Sequence, residues 1–255
     1  GSLRASACCG RIRGKGNMSL SIFALFSGAG VLLSQIAWNR QLLLLTGGSM
    51  DSTAIVLTAF MLGLGFGGAF FGRKAEVSPS PVRVLRTAAG GAAVLSFIPL
   101  LAGSLTASVY PYLYSTGLQL PARLLLALLL VSPAAFFAGG IVPAMARLVE
   151  GAGGHSRASR LYGLNSLGSA LGGFLAGFIL LEAVGVTFTL LIGAFLTVAA
   201  LVSVRPVFAN PTAQPVSAGV RPGWFFLWIY LASGALALCW EMVWTRQLTF
   251  VLGNS

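Results

Sequence analysis

Apolar runs of membrane-spanning length recur along this chain, separated by short polar stretches rich in glycine, proline or arginine. Seven such runs fall at about 20–45, 53–72, 86–109, 122–147, 160–181, 184–204 and 223–252. Crossing a bilayer's hydrocarbon core takes roughly 20 apolar residues as a helix. Helix is the expected form, because a lone strand in lipid leaves backbone N–H and C=O groups unpaired. The fifth and sixth runs are joined by a tight turn at 182–185. Between the sixth and seventh, Pro206, Pro211, Pro215 and Pro222 mark 205–222 as an extended linker. Residues 1–17 are polar and basic, and the first methionine is Met18, so they read as a tail: an upstream extension or an expression scar.

Composition turns this pattern into a class. Of the 255 residues, 56% are hydrophobic and 8% charged, and the mean hydropathy is +0.89. A water-soluble domain carries about 25% charged residues, and a disordered chain needs low hydrophobicity. Both classes are excluded. The expected fold is an all-α, polytopic transmembrane domain whose main partner is the lipid bilayer.

The net charge of +11 would suggest nucleic acid in a soluble protein. Its distribution argues otherwise. Thirteen of the 16 Lys/Arg lie in the N-terminal tail or in the loops after the second, fourth and sixth runs, all on one side of the membrane. That is the excess of positive charge expected of cytoplasmic loops, and it places the N-terminus in the cytoplasm with no nucleic-acid role. The exceptions are Arg40, Arg123 and Arg246. Three cysteines (Cys8, Cys9 and Cys239) and one histidine, His155, are too few for a disulfide framework or a His/Cys metal centre. No metal and no cofactor is expected.

The strongest signal is an internal repeat. SGAGVLLSQIAWNRQLLLLTGGS (27–49) and SGALALCWEMVWTRQLTFVLGNS (233–255) share ten of 23 positions at an offset of 206, including Trp38/Trp244, Arg40/Arg246 and Gln41/Gln247 in register. Six spans lie between equivalent points, so both copies cross the membrane in the same direction. Parallel six-helix halves related by an axis along the membrane normal are a transporter arrangement. The expected organisation is a tail (1–17), a six-helix half (18–204), a linker (205–222) and the first helix of a second repeat (223–255). On that reading the chain is truncated and its partner is the remaining half of its own membrane domain. A complete seven-helix protein with a decayed repeat is the alternative.

These runs resemble the membrane domain of the fused major-facilitator/spermidine-synthase-like family, which shows SGxxALxYExVWxRLL in both halves. TAFMLGLGFGGAFFGRKAE (58–76) is similar to the family's AxFMxGLAxGSxxxGRxAD, with Gly72, Arg73 and Glu76 in the matching places. FFAGGIVPAMARL (136–148) resembles MGxxLPLLxRL, and LYGLNSLGSALGGFLAGFILL (161–181) resembles LYxxNTLGAxxGxLLAGFxLL, with Asn165 matching. The chain departs at Gln35, where the family usually has glutamate (kept as Glu241), and it lacks the C-terminal aminopropyltransferase domain. The resemblance implies an alternating-access transporter of a small metabolite such as a polyamine, in a bacterial inner membrane. It equally implies a non-transporting anchor or product-channelling domain for the synthase, in which case aminopropyltransferase activity resides outside these residues.

Several constellations carry candidate chemistry. Gly63, Gly65 and Gly68 satisfy a dinucleotide-type G-x-G-x-x-G, but they sit mid-helix with no preceding strand. The same stretch satisfies G-x-x-x-G through Gly63/Gly67 and Gly68/Gly72, the spacing that lets membrane helices approach closely. Gly168/Gly172 and Gly173/Gly177 form a second such face. Gln35, Asn39 and Arg40 in the first span correspond to Glu241, Thr245 and Arg246 in the seventh. The i, i+4 spacing puts Gln35 with Asn39, and Glu241 with Thr245, on one face each. An intramembrane charge costs at least about 2.5 kcal/mol at mid-depth, so these six residues read as a polar patch lining a central cavity. The alternative has Arg40 and Arg246 snorkelling to the headgroups, with Trp38 and Trp244 as interfacial anchors. Arg73, Lys74 and Glu76, at the end of the second run, are candidates for a cytoplasmic gating loop or simply mark topology. No catalytic residues are expected in this segment.

Overall fold

The computed structural model describes residues 2–46, 50–101, 119–150, 155–204 and 224–252. Among them every regular element is helical: α1 (Ser2–Thr46), α2 (Met50–Val77), α3 (Pro81–Leu95), α4 (Gln119–Gly139), α5 (Ile141–Glu150), α6 (His155–Leu175), α7 (Gly185–Ser203) and α8 (Trp224–Leu252). A short 3-10 turn, Ile98–Leu101, follows α3, and α6 runs on through a π turn, Ala176–Leu180, to Ala183. Among the described residues seven helical stretches are long and apolar enough to cross a membrane: Met18–Leu43, Thr53–Val77, Pro81–Leu100, Pro121–Val149, Ser156–Ala183, Gly185–Ser203 and Trp224–Glu241. They answer one for one to the seven apolar runs, so the protein is an all-α polytopic membrane protein. The chain divides into two compact units, Gly1–Gln214 and Pro215–Ser255.

Three boundaries differ from the sequence reading. Helix α1 begins at Ser2, so the basic segment continues the first helix instead of forming a separate tail. Helix α3 begins at Pro81, a favoured first helical residue because its missing N–H is not needed there. Arg83 and Arg86 therefore lie in the opening turns of α3, and the connection from α2 shrinks to 78–80. Likewise α6 begins at His155, so Arg157 and Arg160 are helical residues. Arg86 explains its own place: Nη2 donates to the carbonyl of Val204 (3.0 Å), one of the terminal acceptors that the end of α7 leaves open.

The fourth span breaks into two α-helices. Pro143 has no N–H to give the carbonyl four residues back, Gly139, and the helix is interrupted at Gly140 between α4 and α5. The break lets α2 close in. A Cβ on Gly139 would fall on the Leu64 carbonyl, and one on Gly140 would lie 2.5 Å from the Phe71 ring. At the other tight turn Gly185 has φ +78°, in the left-handed region that suits glycine.

In the first unit α1 packs along α6 and α7, while α4 packs along α2 and α3; α3 and α7 also touch. Exchanging the first three spans for the second three maps this set of pairings onto itself. The interior comprises two apolar clusters. One gathers Leu20 and Phe23 of α1, Phe71 of α2, Leu85 of α3, Met145 of α5, Leu161 of α6 and Val204 at the end of α7. The other gathers Trp38 and Leu42, Phe60, Val131 and Leu190. The first occupies the end of the bundle that also carries Arg73, Lys74, Arg83, Arg86, Arg147, Arg157 and Arg160, hereafter the basic end.

Candidate functional site

The seams that position α1 and α4 are built from small residues. On α6, a Cβ at Gly168 would strike the Leu25 carbonyl and one at Gly172 the Ala29 carbonyl; on α1, one at Gly28 would strike the Asn165 carbonyl. The α2–α4 seam repeats the device. A Cβ at Gly63 would stand 2.7 Å from the Ala135 Cβ, and one at Gly67 would fall on the Phe136 carbonyl. Such close backbone approach is how membrane helices associate without a hydrophobic drive between them. Gly68 and Gly72 have only ordinary neighbours, at 3.6 and 3.7 Å, and Gly173 meets the flexible end of Leu32. Gly177 departs from the pattern. A Cβ there meets nothing within 4 Å, and the residue is exposed, five positions beyond Gly172 and off the face that meets α1.

Hydroxyls tie the same seams. Ser132 Oγ donates to the Ala59 carbonyl (2.9 Å) across α4–α2, and Ser169 Oγ to the Gly28 carbonyl (3.3 Å) across α6–α1. Ser27 Oγ lies 3.5 Å from Asn165 Oδ1, so Asn165 contributes both its side chain and its carbonyl to the α1 contact. At the basic end Ser19 and Ser203 each direct a hydroxyl at the other's carbonyl.

On this scaffold the structure sets Gln35 and Asn39 half-buried on α1, one turn apart. Gln35 Oε1 and Asn39 Oδ1 are buried and find no hydrogen-bond donor among the described residues; Gln41 Oε1 shares that condition. Arg40 is exposed beside them. Glu241 lies on α8, in the second unit, and the side chains of Thr245 and Arg246 lie outside the described residues. The structure thus groups Gln35 with Asn39. Trp38 corrects the interfacial-anchor alternative. It is only 2% exposed, and its Nε1 donates to the Ser96 carbonyl (2.9 Å), pinning α1 to the end of α3. Within α8, Trp240 and Trp244 stack edge to face at 6.3 Å.

Arg73, Lys74 and Glu76 are exposed on the last turns of α2, so they belong to a helix end and not to a loop. Lys74 lies over the Phe70 ring at 5.6 Å, a cation–π contact. Positive side chains there also complement the helix's negative C-terminal end.

Sequence reasoning missed the Trp38–Ser96 bond, the α4–α2 serine bond and the π turn. The serine was findable, since a hydroxyl inside an apolar run normally seeks a neighbouring carbonyl. The π turn has no comparable signal, although such turns often mark functional helices. Comparison with protein-family models, with curated proteins and with solved structures finds no match.

Proposed function

We propose that this chain is one half, with the opening helix of the other, of a transporter-type membrane domain of the fused major-facilitator/spermidine-synthase-like kind. Its work is alternating-access movement of a small metabolite, a polyamine if the resemblance extends to substrate. The observation that carries this reading is the pair of buried amide oxygens, Gln35 Oε1 and Asn39 Oδ1, on the repeated segment of α1, which find no donor among the described residues. A buried polar group without a partner costs about 1–3 kcal/mol. A site for a ligand that presents N–H donors gives these acceptors a use, and an ammonium group is such a donor. Two further observations favour the reading. The pairing of spans one to three with four to six is symmetric, as in the inverted repeats nested in each major-facilitator half. Arg40, Gln41 and Trp38 recur in α8 as Arg246, Gln247 and Trp244.

The test is uptake of labelled polyamines by proteoliposomes holding the full-length protein, wild type against Gln35→Leu/Asn39→Leu. Uptake above empty liposomes, reduced at least tenfold in the double variant, is the expected result. No uptake by wild type, together with intact aminopropyltransferase activity in the full-length protein, would replace this reading with a membrane anchor for that enzyme.

A further inference from the structure

Three membrane spans have their ends at one place in the bundle. The first begins at Met18, the fourth ends at Val149 and the fifth begins at Ser156. Between these ends lies a cleft of about 80 Å³ lined by Leu20, Ser21, Val149, Arg157, Arg160 and Leu161. At about 30 Å³ per water it has room for a small polar group and not for a whole lipid. Its floor is apolar and closed: Leu20, Val149 and Leu161 are 1%, 4% and 5% exposed. Its rim is cationic, with Arg157 half-buried and Arg160 exposed, and the first amides of the 21-residue α6 begin beside them at His155. Guanidinium groups grip phosphate oxygens through paired N–H donors, and a helix N-terminus adds partial positive charge. Glu150 is the acid nearest in sequence, and its side chain lies outside the described residues.

We propose that this cleft binds the phosphate of an anionic phospholipid headgroup, with Arg160 holding the phosphate and Arg157 adding positive charge beside it. Phosphate chemistry alone would admit a free phosphate ion. The depth decides for lipid, because the cleft opens where three spans meet the headgroup layer and its floor suits the first carbons of a lipid. Basic pockets between membrane helices recognise acidic headgroups in this way. The inference is independent of the transport reading.

The experiment uses the purified, delipidated chain in nanodiscs of phosphatidylcholine with a minor fraction of phosphatidylglycerol, and reads bound lipid by native mass spectrometry. Phosphatidylglycerol is expected to be retained over phosphatidylcholine. Arg157→Gln/Arg160→Gln is expected to weaken that retention about 25-fold, from about fivefold per cation near an acidic headgroup. Arg157→Lys/Arg160→Lys is expected to keep most of it. Equal retention of the two lipids overturns the proposal, as does wild-type retention by the Gln variant. Displacement of bound lipid by millimolar inorganic phosphate overturns the lipid assignment in favour of a free-phosphate site. If the Gln variant loses helical signal, a salt titration of wild type decides: preference for phosphatidylglycerol falling with salt supports the site, and a salt-independent preference overturns it.

Discussion

Gly67→Ala and Gly65→Ala make the sharpest test of how this bundle is held together. The two residues are two positions apart on α2, and neither substitution adds more than one methyl group. A Cβ at Gly67 would fall on the Phe136 carbonyl of α4, and at Gly65 it meets nothing within 4 Å. Ordinary Cβ contacts lie at 3.4–4 Å, so the methyl group of Gly67→Ala fits only if α2 and α4 part by roughly 1 Å or more. The obstacle is main chain and cannot swing aside as a side-chain tip would. Parting also stretches the Ser132–Ala59 hydrogen bond, 2.9 Å in the native seam. Overpacking of this kind costs about 1–3 kcal/mol. Against it stands the better helix propensity of alanine, about 1 kcal/mol. The net expectation for Gly67→Ala is a loss of up to about 2 kcal/mol, and for Gly65→Ala a gain of up to about 1 kcal/mol, since only the propensity changes. Far-UV circular dichroism followed through an SDS titration in mixed micelles measures both. Equal stability of the two variants would refute the claim that α2 and α4 meet backbone to backbone.

Other expectations follow from single contacts. Trp38→Phe keeps most of the ring in its buried site but leaves the Ser96 carbonyl without its indole donor, and should cost about 1–2 kcal/mol in the same titration. Gly185→Ala has free space around it, so its cost is backbone strain alone, about 1 kcal/mol for an L-residue held at positive φ. Gln35→Leu/Asn39→Leu should hold or raise stability while lowering uptake, because removing an orphaned polar group relieves a desolvation penalty of about 1–3 kcal/mol; a large loss of stability would mean these amides are structural. With Cys239 and the N-terminal cysteines replaced, single cysteines at Ser78 and Ser159 should react with a membrane-impermeant maleimide from the same side, and one at Val184 from the other. Labelling of all three from one side would break the assignment of the basic end to one face.

The spans were legible because each needs only a local property, length at high hydropathy, that the sequence displays directly. Gly63, Gly67, Gly168 and Gly172 were legible for a related reason: a four-residue spacing fixes one face of a helix, although not which neighbour it receives. Gly177 shows the limit. Its four-residue spacing from Gly173 suggests a packing face, yet a Cβ at Gly177 meets nothing within 4 Å, so spacing alone does not make a seam. Trp38 shows another, since a tryptophan near a span's end has two homes, the interface or the interior. Only the arrival of Ser96 from the end of α3 chooses the interior. The starts of α3 and α6 were placed too late for one reason: arginines read as loop residues, whereas at a membrane interface a helix carries them readily and Arg86 finds a carbonyl on α7.

The repeat acquires a finer meaning once α1 has neighbours. Among the matches, Ser27 and Gly28 lie where α6 closes on α1, while Trp38 and Leu42 enter the apolar cluster shared with α2 and α4. The side of α1 that receives α7 is a different matter. There Gly30 admits Thr197 and the Gly193 carbonyl, and Ser34 lies against Gly193, yet α8 has Leu236 and Trp240 at these places. A helix approaching α8 as α6 approaches α1 would find Gly234 ready to take its backbone. One approaching as α7 does would meet a leucine and an indole, and would have to stand further off. The two copies are therefore alike in the small residues that α6 meets on α1 and unlike at the positions that α7 meets. An exact duplicate of the first unit built around α8 is ruled out by these two side chains, and a second half built on this repeat must differ from the first at its sixth span.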